Sequence, residues 1–349
     1  MRADGANGEP GPPANRSGRR VRSIGPGGAV ERTLRIGGLR LHVRESGAGT
    51  PLLLINGIGA HVGMWKPLEK ALDGVHLIAF DAPGTGRSQT PRLPLSLDAL
   101  GRMAERVLDR LGYEQVDVLG YSFGGIVAQH LAHRAPHRVR RLVLAATTPG
   151  WGGVPASMLT MARMSTPLRY YSRSYYERII GDLAGGRARR DRAWLERHGD
   201  ERQQHPPDPL GYMWQLAALT VPPGSLPWLH TLAHPTFVVA GDDDPILPHV
   251  NSLVLAHRIP RARLMIAPGE GHLLLLDPDS AAHRMVRAFL MSDDLRASEA
   301  WERTVKVHRG MVDAALGAGR VQLQNPVWLL NSVARAIYPD GRARSGQDW

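Results

Sequence analysis

Residues 116–125 read Val116-Asp117-Val118-Leu119-Gly120-Tyr121-Ser122-Phe123-Gly124-Gly125. Val116, Val118 and Leu119 make a short apolar strand, and Ile126 to Ala135 read as a helix. Between them lies Gly120-x-Ser122-x-Gly124, the strand–turn–helix setting that a nucleophile elbow requires. A turn this tight imposes an unusual backbone conformation on the serine. Side chains on its near neighbours would collide with the adjoining strand and helix, which is why glycines flank it. The turn pushes the Ser122 hydroxyl into a cleft and aims the following N–H groups at the same point.

Outward from the elbow, strands and helices alternate. Thr33–Ile36 and Leu39–Glu45 form a hairpin around Gly37-Gly38. Pro51–Ile55 and Val75–Phe80 are continuous apolar runs, as expected of strands buried on both faces. Trp65–Leu72 reads as a helix, and Leu97–Leu111 is amphipathic at helical spacing. Val139–Ala145 is a further strand. The alternation stops near residue 150 and resumes with a strand at Thr236–Ala240, a helix over Val250–His257 and a strand at Arg263–Ile266. A last helix spans Pro278–Leu290, with Asp277 as its cap and proline at its first position. This order predicts an α/β fold with a mostly parallel central sheet flanked by helices, interrupted by a helical insertion. The expected divisions are a disordered tail over 1–30, a first part of the α/β unit over 31–150, a helical cap over 151–229, a second part over 230–291, and an extension over 292–349.

A serine hydroxyl is a weak nucleophile near neutral pH, so Ser122 needs a general base and the base an orienting carboxylate. In this architecture the chain order is Ser, then Asp or Glu, then His. Three carboxylates, Asp242, Asp243 and Asp244, follow the strand at Thr236–Ala240, where open α/β sheets build their sites. Asp244, three residues after Gly241 and directly before Pro245, is the expected acid; Asp242 and Asp243 read as a solvated turn. His272, in Gly269-Glu270-Gly271-His272, lies before the last helix and is the expected base. The oxyanion needs two N–H donors, assigned to Phe123, after the nucleophile, and to Ile58 in Asn56-Gly57-Ile58-Gly59. His61, Tyr121 and Trp151 are expected to border the substrate. Asp81-x-x-Gly84-x-Gly86-x-Ser88 reads as a structural turn.

Composition narrows the partners. The chain has 349 residues, no cysteine and a formal net charge of +11, from 43 Lys+Arg against 32 Asp+Glu. Without cysteine there are no disulfides, thiolate nucleophiles or Cys-based zinc sites. The positive excess is scattered through the tails and surface helices, and no zinc finger or RNA-binding aromatic signature accompanies it, so nucleic acid is not the expected partner. His130 and His133 stand three apart on the elbow helix, but no third ligand accompanies them, so no metal is expected. No glycine run matches a dinucleotide fingerprint or a P-loop. No apolar run reaches the length of a membrane-spanning helix, and the first thirty residues lack a secretory h-region, which sets the expected location in the cytoplasm.

With these parts in order, residues 33–291 resemble the α/β-hydrolase superfamily. Within it the chain resembles the intracellular depolymerases of medium-chain-length poly(3-hydroxyalkanoate). Four stretches carry that likeness: Ile55–His61, Ala145–Gly153, Pro167–Tyr176 and Gly271–Asp277. Asn56 stands where the wider superfamily commonly has histidine. The resemblance implies a triad of Ser122, His272 and Asp244. It also implies hydrolysis of polyester to 3-hydroxyalkanoic acids without metal or organic cofactor, at the surface of a storage granule with its coat proteins as possible partners.

The insertion suits a greasy substrate. It holds four of the eight tryptophans and five of the eight tyrosines, with Met158, Met161, Met164 and Met213 as adaptable apolar surface. Arg187, Arg189, Arg190 and Arg192 read as a solvated face of it. Val321–Ile337 is apolar enough to dock on the protein itself, on a second subunit or on a granule. Two alternatives share the motifs: a small-molecule carboxylesterase, lipase-like or C–C bond hydrolase, and a non-catalytic granule-associated protein on the same fold. A serine at the elbow argues against dehalogenase and epoxide-hydrolase chemistry, which need a carboxylate there.

Overall fold

The computed structural model describes residues 28–318. Nearly all of the expected N-terminal tail and the apolar run at 321–337 lie outside them. Eight strands form one sheet: β1 (Ala29–Ile36), β2 (Leu39–Ser46), β3 (Thr50–Ile55), β4 (Val75–Phe80), β5 (Val116–Tyr121), β6 (Val139–Ala145), β7 (Thr236–Gly241) and β8 (Ala262–Ala267). Their order is β1-β2-β4-β3-β5-β6-β7-β8. β1 and β2 pair antiparallel, as do β2 and β4; every other pairing is parallel. β1 starts at Ala29, inside the range expected to be a tail. Its hairpin turns at Gly37 and Gly38, both at positive φ, which glycine adopts without steric cost.

The helices are α1 (Lys66–Ala71), α2 (Leu97–Leu111), α3 (Phe123–Arg134), α4 (Met158–Met164), α5 (Leu168–Tyr171), α6 (Arg173–Ala184), α7 (Arg187–Arg190), α8 (Arg192–Gln203), α9 (Pro209–Leu219), α10 (Val250–Arg258), α11 (Ala281–Met291), α12 (Glu299–Glu302) and α13 (Arg309–Ala318). α2 has the expected limits because Ser96 caps one end and Gly112, left-handed at φ 84°, closes the other. The apolar strands feed two cores. Leu53, Val116 and Val118 join α2, α3 and α10 on one face, while Leu52, Leu54 and Leu119 join α1 and α11 on the other. This alternation is the period of two that places successive side chains on opposite faces.

Three boundaries differ from expectation. Residues 62–65 form a single 3-10 turn before α1. α3 starts at Phe123, directly after the serine, so the elbow has no intervening loop. α11 starts at Ala281 with Ser280 as its cap, not at Pro278 with Asp277. The Asp277 carboxylate is committed elsewhere: it accepts from the Asp279 N–H at 3.0 Å and from Arg187 at 2.6 Å.

α4 to α9 fill the stretch between β6 and β7, at the carboxyl ends of the parallel strands. Beyond α11 the chain stays docked. Val305 bridges antiparallel to Leu264 of β8, Trp301 stacks on Phe289, and Val312 of α13 joins the core.

Candidate active site

Ser122 sits at φ 55°, ψ −123°, a left-handed conformation that costs a non-glycine residue roughly 1–3 kcal/mol. The surroundings hold it there. Its N–H donates to the Ala145 carbonyl at 2.9 Å, and its own carbonyl accepts from Thr147 Oγ1 at 2.6 Å and from the Gly125 N–H at 2.9 Å. A Cβ on Gly124 would stand 2.0 Å from the Ile55 carbonyl oxygen. One on Gly120 would stand 2.5 Å from the Gly124 oxygen. The motif therefore has glycine where strand, turn and helix backbones touch.

The structure brings Ser122, His272 and Asp244 together. Ser122 Oγ lies 2.9 Å from His272 Nε2, and His272 Nδ1 lies 2.8 Å from Asp244 Oδ2. The carboxylate fixes the tautomer: Nδ1–H donates to Asp244, leaving Nε2 to accept from the serine. Asp244 Oδ1 accepts from the Ile246 and Leu247 N–H groups at 2.9 Å each, which locks the carboxylate's orientation. All three side chains are buried. The neighbouring carboxylates point elsewhere: Asp243 accepts from Arg189 and from the Gly186 N–H, and Asp242 accepts from the Gly269 N–H.

The loop after β3 is folded on itself by Asn56, whose Oδ1 accepts from the Gly57 N–H and whose Nδ2 donates to the His61 carbonyl. The Gly59 N–H goes to Gln215 Oε1 and the Ala60 N–H to the Gly57 carbonyl. Of this run, the Ile58 N–H is left without an acceptor among the described residues. Ile58 and Ser122 line the same cavity, and Phe123 opens α3 beside the serine, where helix N–H groups have no intrahelical partner. Asp81 binds the Val62 and Arg87 N–H groups and His42, so it ties turns together, as the structural reading of its motif expects.

Of the three residues expected to border substrate, only Tyr121 lines the cavity. Its hydroxyl donates to the His272 carbonyl at 2.8 Å, bracing the histidine loop. His61 is buried and does not line the cavity. Its Nδ1 accepts from the Gly63 N–H and its Nε2 reaches the Glu201 carbonyl at 2.9 Å, so it anchors the end of α8 instead. Burial lowers its pKa. Trp151 is half-buried and does not line the cavity.

The inserted helices roof the serine. Met164, Arg169, Ile180, Leu183, Ala184 and Arg202 complete the cavity wall, leaving about 30 Å3 of free space, room for one or two waters. Ala184, at the end of α6, accepts the His272 N–H at 2.7 Å. Of the four arginines expected to be solvated, Arg189 and Arg190 are exposed and Arg187 is half-buried, yet all three also fasten the insertion to the loops carrying Asp244 and His272. Arg187 pairs with Asp277 and Asp279, Arg189 with Asp243, and Arg190 with the Gly269 carbonyl. Arg192 is exposed as expected. Sequence reasoning missed Arg169, Arg202 and Gln215, which spacing alone does not separate from ordinary surface residues of an amphipathic helix.

Known proteins share this frame. Residues 50–190 match the family described as alpha/beta hydrolase fold, and residues 212–300 match one described as TAP-like protein. The poly(3-hydroxyalkanoate) depolymerase of Ectopseudomonas oleovorans is 42% identical over 249 residues, covering 71% of this chain and 87% of its own. The 2-hydroxymuconate semialdehyde hydrolase of Pseudomonas sp. strain CF600 is 30% identical over 77% of this chain and 96% of its own. A hydrolase structure from Pseudomonas aeruginosa PA01 superposes with a TM-score of 0.65 at 28% identity, over 75% of this chain and 98% of its own. A strained serine at the end of β5, a histidine after β8 and an acid after β7 on a sheet so ordered, with relatives this similar over most of their length, make the chain a member of the α/β-hydrolase family.

Proposed function

We propose that the protein is a serine ester hydrolase that degrades poly(3-hydroxyalkanoate) through an acyl-enzyme on Ser122. The observation that carries this reading is the hydrogen-bonded chain from Ser122 Oγ through His272 to Asp244, buried beneath the inserted helices. As Ser122 Oγ attacks the ester carbonyl, His272 Nε2 takes its proton, and Asp244 stabilises the imidazolium that forms. The negative charge arising on the carbonyl oxygen meets the N–H groups of Ile58 and Phe123. The intermediate collapses, the alcohol leaves with the proton from His272, and the acyl group stays on Ser122. Water then attacks the acyl-enzyme with His272 again as base, freeing the acid and restoring the serine.

The polyester assignment rests on the similarity to the Ectopseudomonas oleovorans depolymerase and on the apolar cavity wall. Ile180, Leu183, Leu273 and Leu276 suit the alkyl side chain of a medium-chain hydroxyacyl unit. Free space for only one or two waters favours α4 to α9 acting as a lid that moves before an ester enters. Met158, Leu159, Leu168, Tyr171, Leu210 and Met213 are exposed on that lid, which favours work at a granule surface, with coat proteins as neighbours. Similarity to the 2-hydroxymuconate semialdehyde hydrolase favours a second reading, C–C bond hydrolysis of a small substrate by the same triad.

The test is release of hydroxy acid from emulsified medium-chain poly(3-hydroxyalkanoate), beside poly(3-hydroxybutyrate) and p-nitrophenyl octanoate, with Ser122→Ala as blank. Release from the medium-chain polymer is expected. Turnover of the octanoate ester alone would keep the triad and discard the polymer.

A further inference from the structure

Two arginines line the cavity beside Ser122 without any carboxylate partner among the described residues. Arg169 is 2% exposed and Arg202 is 7% exposed. Arg169 Nη1 donates to the Tyr212 hydroxyl at 2.7 Å and to the Thr166 carbonyl at 3.2 Å. Arg202 Nη2 donates to the Tyr170 hydroxyl at 2.6 Å. Both guanidinium carbons stand over the Tyr170 ring, at 4.9 Å for Arg169 and 4.2 Å for Arg202. The Arg202 Nε–H is fully buried with no acceptor among the described residues.

The contrast with the other buried arginines is sharp. Arg138 pairs with Asp109, and Arg141 donates to three main-chain carbonyls at the end of α11, where the helix dipole is negative. Aromatic faces and hydroxyls reduce the cost of burying Arg169 and Arg202 but do not neutralise two cations. A guanidinium fork matches a planar carboxylate. The geometry points to a carboxylate subsite formed by Arg202 and Arg169 in the cavity of Ser122, occupied by the free carboxyl terminus of a hydroxyalkanoate oligomer.

This subsite rests on the polyester reading for its occupant. Every chain end and every product of such a polyester carries a carboxylate, while an ester within the chain carries none nearby. Seating the end at the arginines places the last ester bond at Ser122. Its acyl side passes to the serine oxygen as the carbonyl–oxygen bond breaks. The terminal hydroxy acid leaves as the alcohol, taking its proton from His272 and keeping its carboxylate at the arginines. Cleavage is then exo, one unit from the carboxyl end.

The experiment compares inhibition of p-nitrophenyl octanoate turnover by 3-hydroxyoctanoate and by the neutral 3-hydroxyoctanamide, at pH 7.5. A charge-assisted contact predicts a Ki for the acid roughly ten- to a hundred-fold below that of the amide. Arg202→Gln is expected to bring the two values within about two-fold, and Arg202→Lys to keep part of the difference. Equal values in the unaltered protein overturn the subsite, whether or not any variant folds. A preference that survives both Arg202→Gln and Arg169→Gln overturns it as well. Hydrolysis of a 3-hydroxyoctanoate dimer, beside the same dimer as its methyl ester, decides the polyester reading separately. Inhibition by the acid with neither dimer cut would keep the subsite and discard the polyester.

Discussion

The Tyr170 hydroxyl, on α5, donates to the Ile58 carbonyl. The same peptide unit gives its N–H, that of Gly59, to Gln215 Oε1 on α9. Helices of the insertion therefore hold both ends of one peptide plane, next to the Ile58 N–H proposed for the oxyanion. A peptide unit is rigid, so two grips on it set the direction of the amide before it. The placement of these inserted helices and the direction of the Ile58 N–H are coupled through a single plane.

Tyr170→Phe and Gln215→Leu are accordingly expected to lower kcat for p-nitrophenyl octanoate by about ten-fold each, short of the hundred-fold or more for a lost donor. KM should move little. The double variant should lose less than the product of the two effects, because both act on one peptide. Steady-state kinetics read this directly. A raised KM with kcat intact would make Tyr170 a substrate contact and end the positioning argument.

Ser122→Ala and His272→Ala are each expected to abolish hydrolysis with an unchanged circular dichroism spectrum. Asp244→Asn should cost roughly a hundred- to ten-thousand-fold, since His272 then loses the partner that fixes its tautomer. Asp243→Asn should be milder, because that carboxylate holds Arg189 and the Gly186 N–H and does not reach the histidine. If Asp243→Asn proved the crippling change, Asp244 would not be the acid.

Gly124→Ala tests why the elbow needs its glycines. The new Cβ would stand 2.0 Å from the Ile55 carbonyl oxygen and 2.5 Å from that of Asn56, both backbone atoms that cannot swing aside. A loss of several kcal/mol is expected, at the severe end for single changes, together with lost activity. Thermal melts would show it. A melting temperature within a few degrees of the parent would mean that β3 and the elbow separate easily.

The parts legible in the sequence are those whose cause is local. Continuous apolar runs marked β3 and β4, because burial on both faces removes alternation. Ser96 and Gly112 marked the ends of α2, and the elbow marked its own strand and helix. What stayed hidden depends on pairings across long separations. Arg187 finds Asp277, and Arg189 finds Asp243, more than fifty residues away. Asp277 is a good cap by type, yet this partner and a nearer turn claim it, and the helix start moves to Ser280. Arg169 and Arg202 look like surface residues until Tyr170 and Tyr212 cover them. His61 sits beside the oxyanion loop in sequence, but its ring turns to the end of α8.

Buried histidines set the response of the fold to acid. Burial pushes His130 down to about 4 and His198 down to about 3, and lowers His61. His198 is held neutral between Trp194 and Tyr176, whose hydroxyl lies 2.7 Å from Nδ1. In the unfolded chain each would titrate near 6.5. Below that pH the unfolded chain binds protons that the folded protein refuses, so stability falls on acidification, from about 6.5 down to about 4 for His130 and about 3 for His198. His42 has the opposite sign. Asp81 raises its pKa, so its contribution is complete below about 6.5 and fades as pH climbs through the raised value. Five depressed histidines, His133 and His283 included, against the one raised predict a lower melting temperature at pH 5 than at pH 7, with His130 contributing about 3 kcal/mol to the full loss. His130→Gln and His198→Gln should each flatten the slope between those pH values. A slope unchanged in both variants would assign the acid sensitivity to the carboxylates instead.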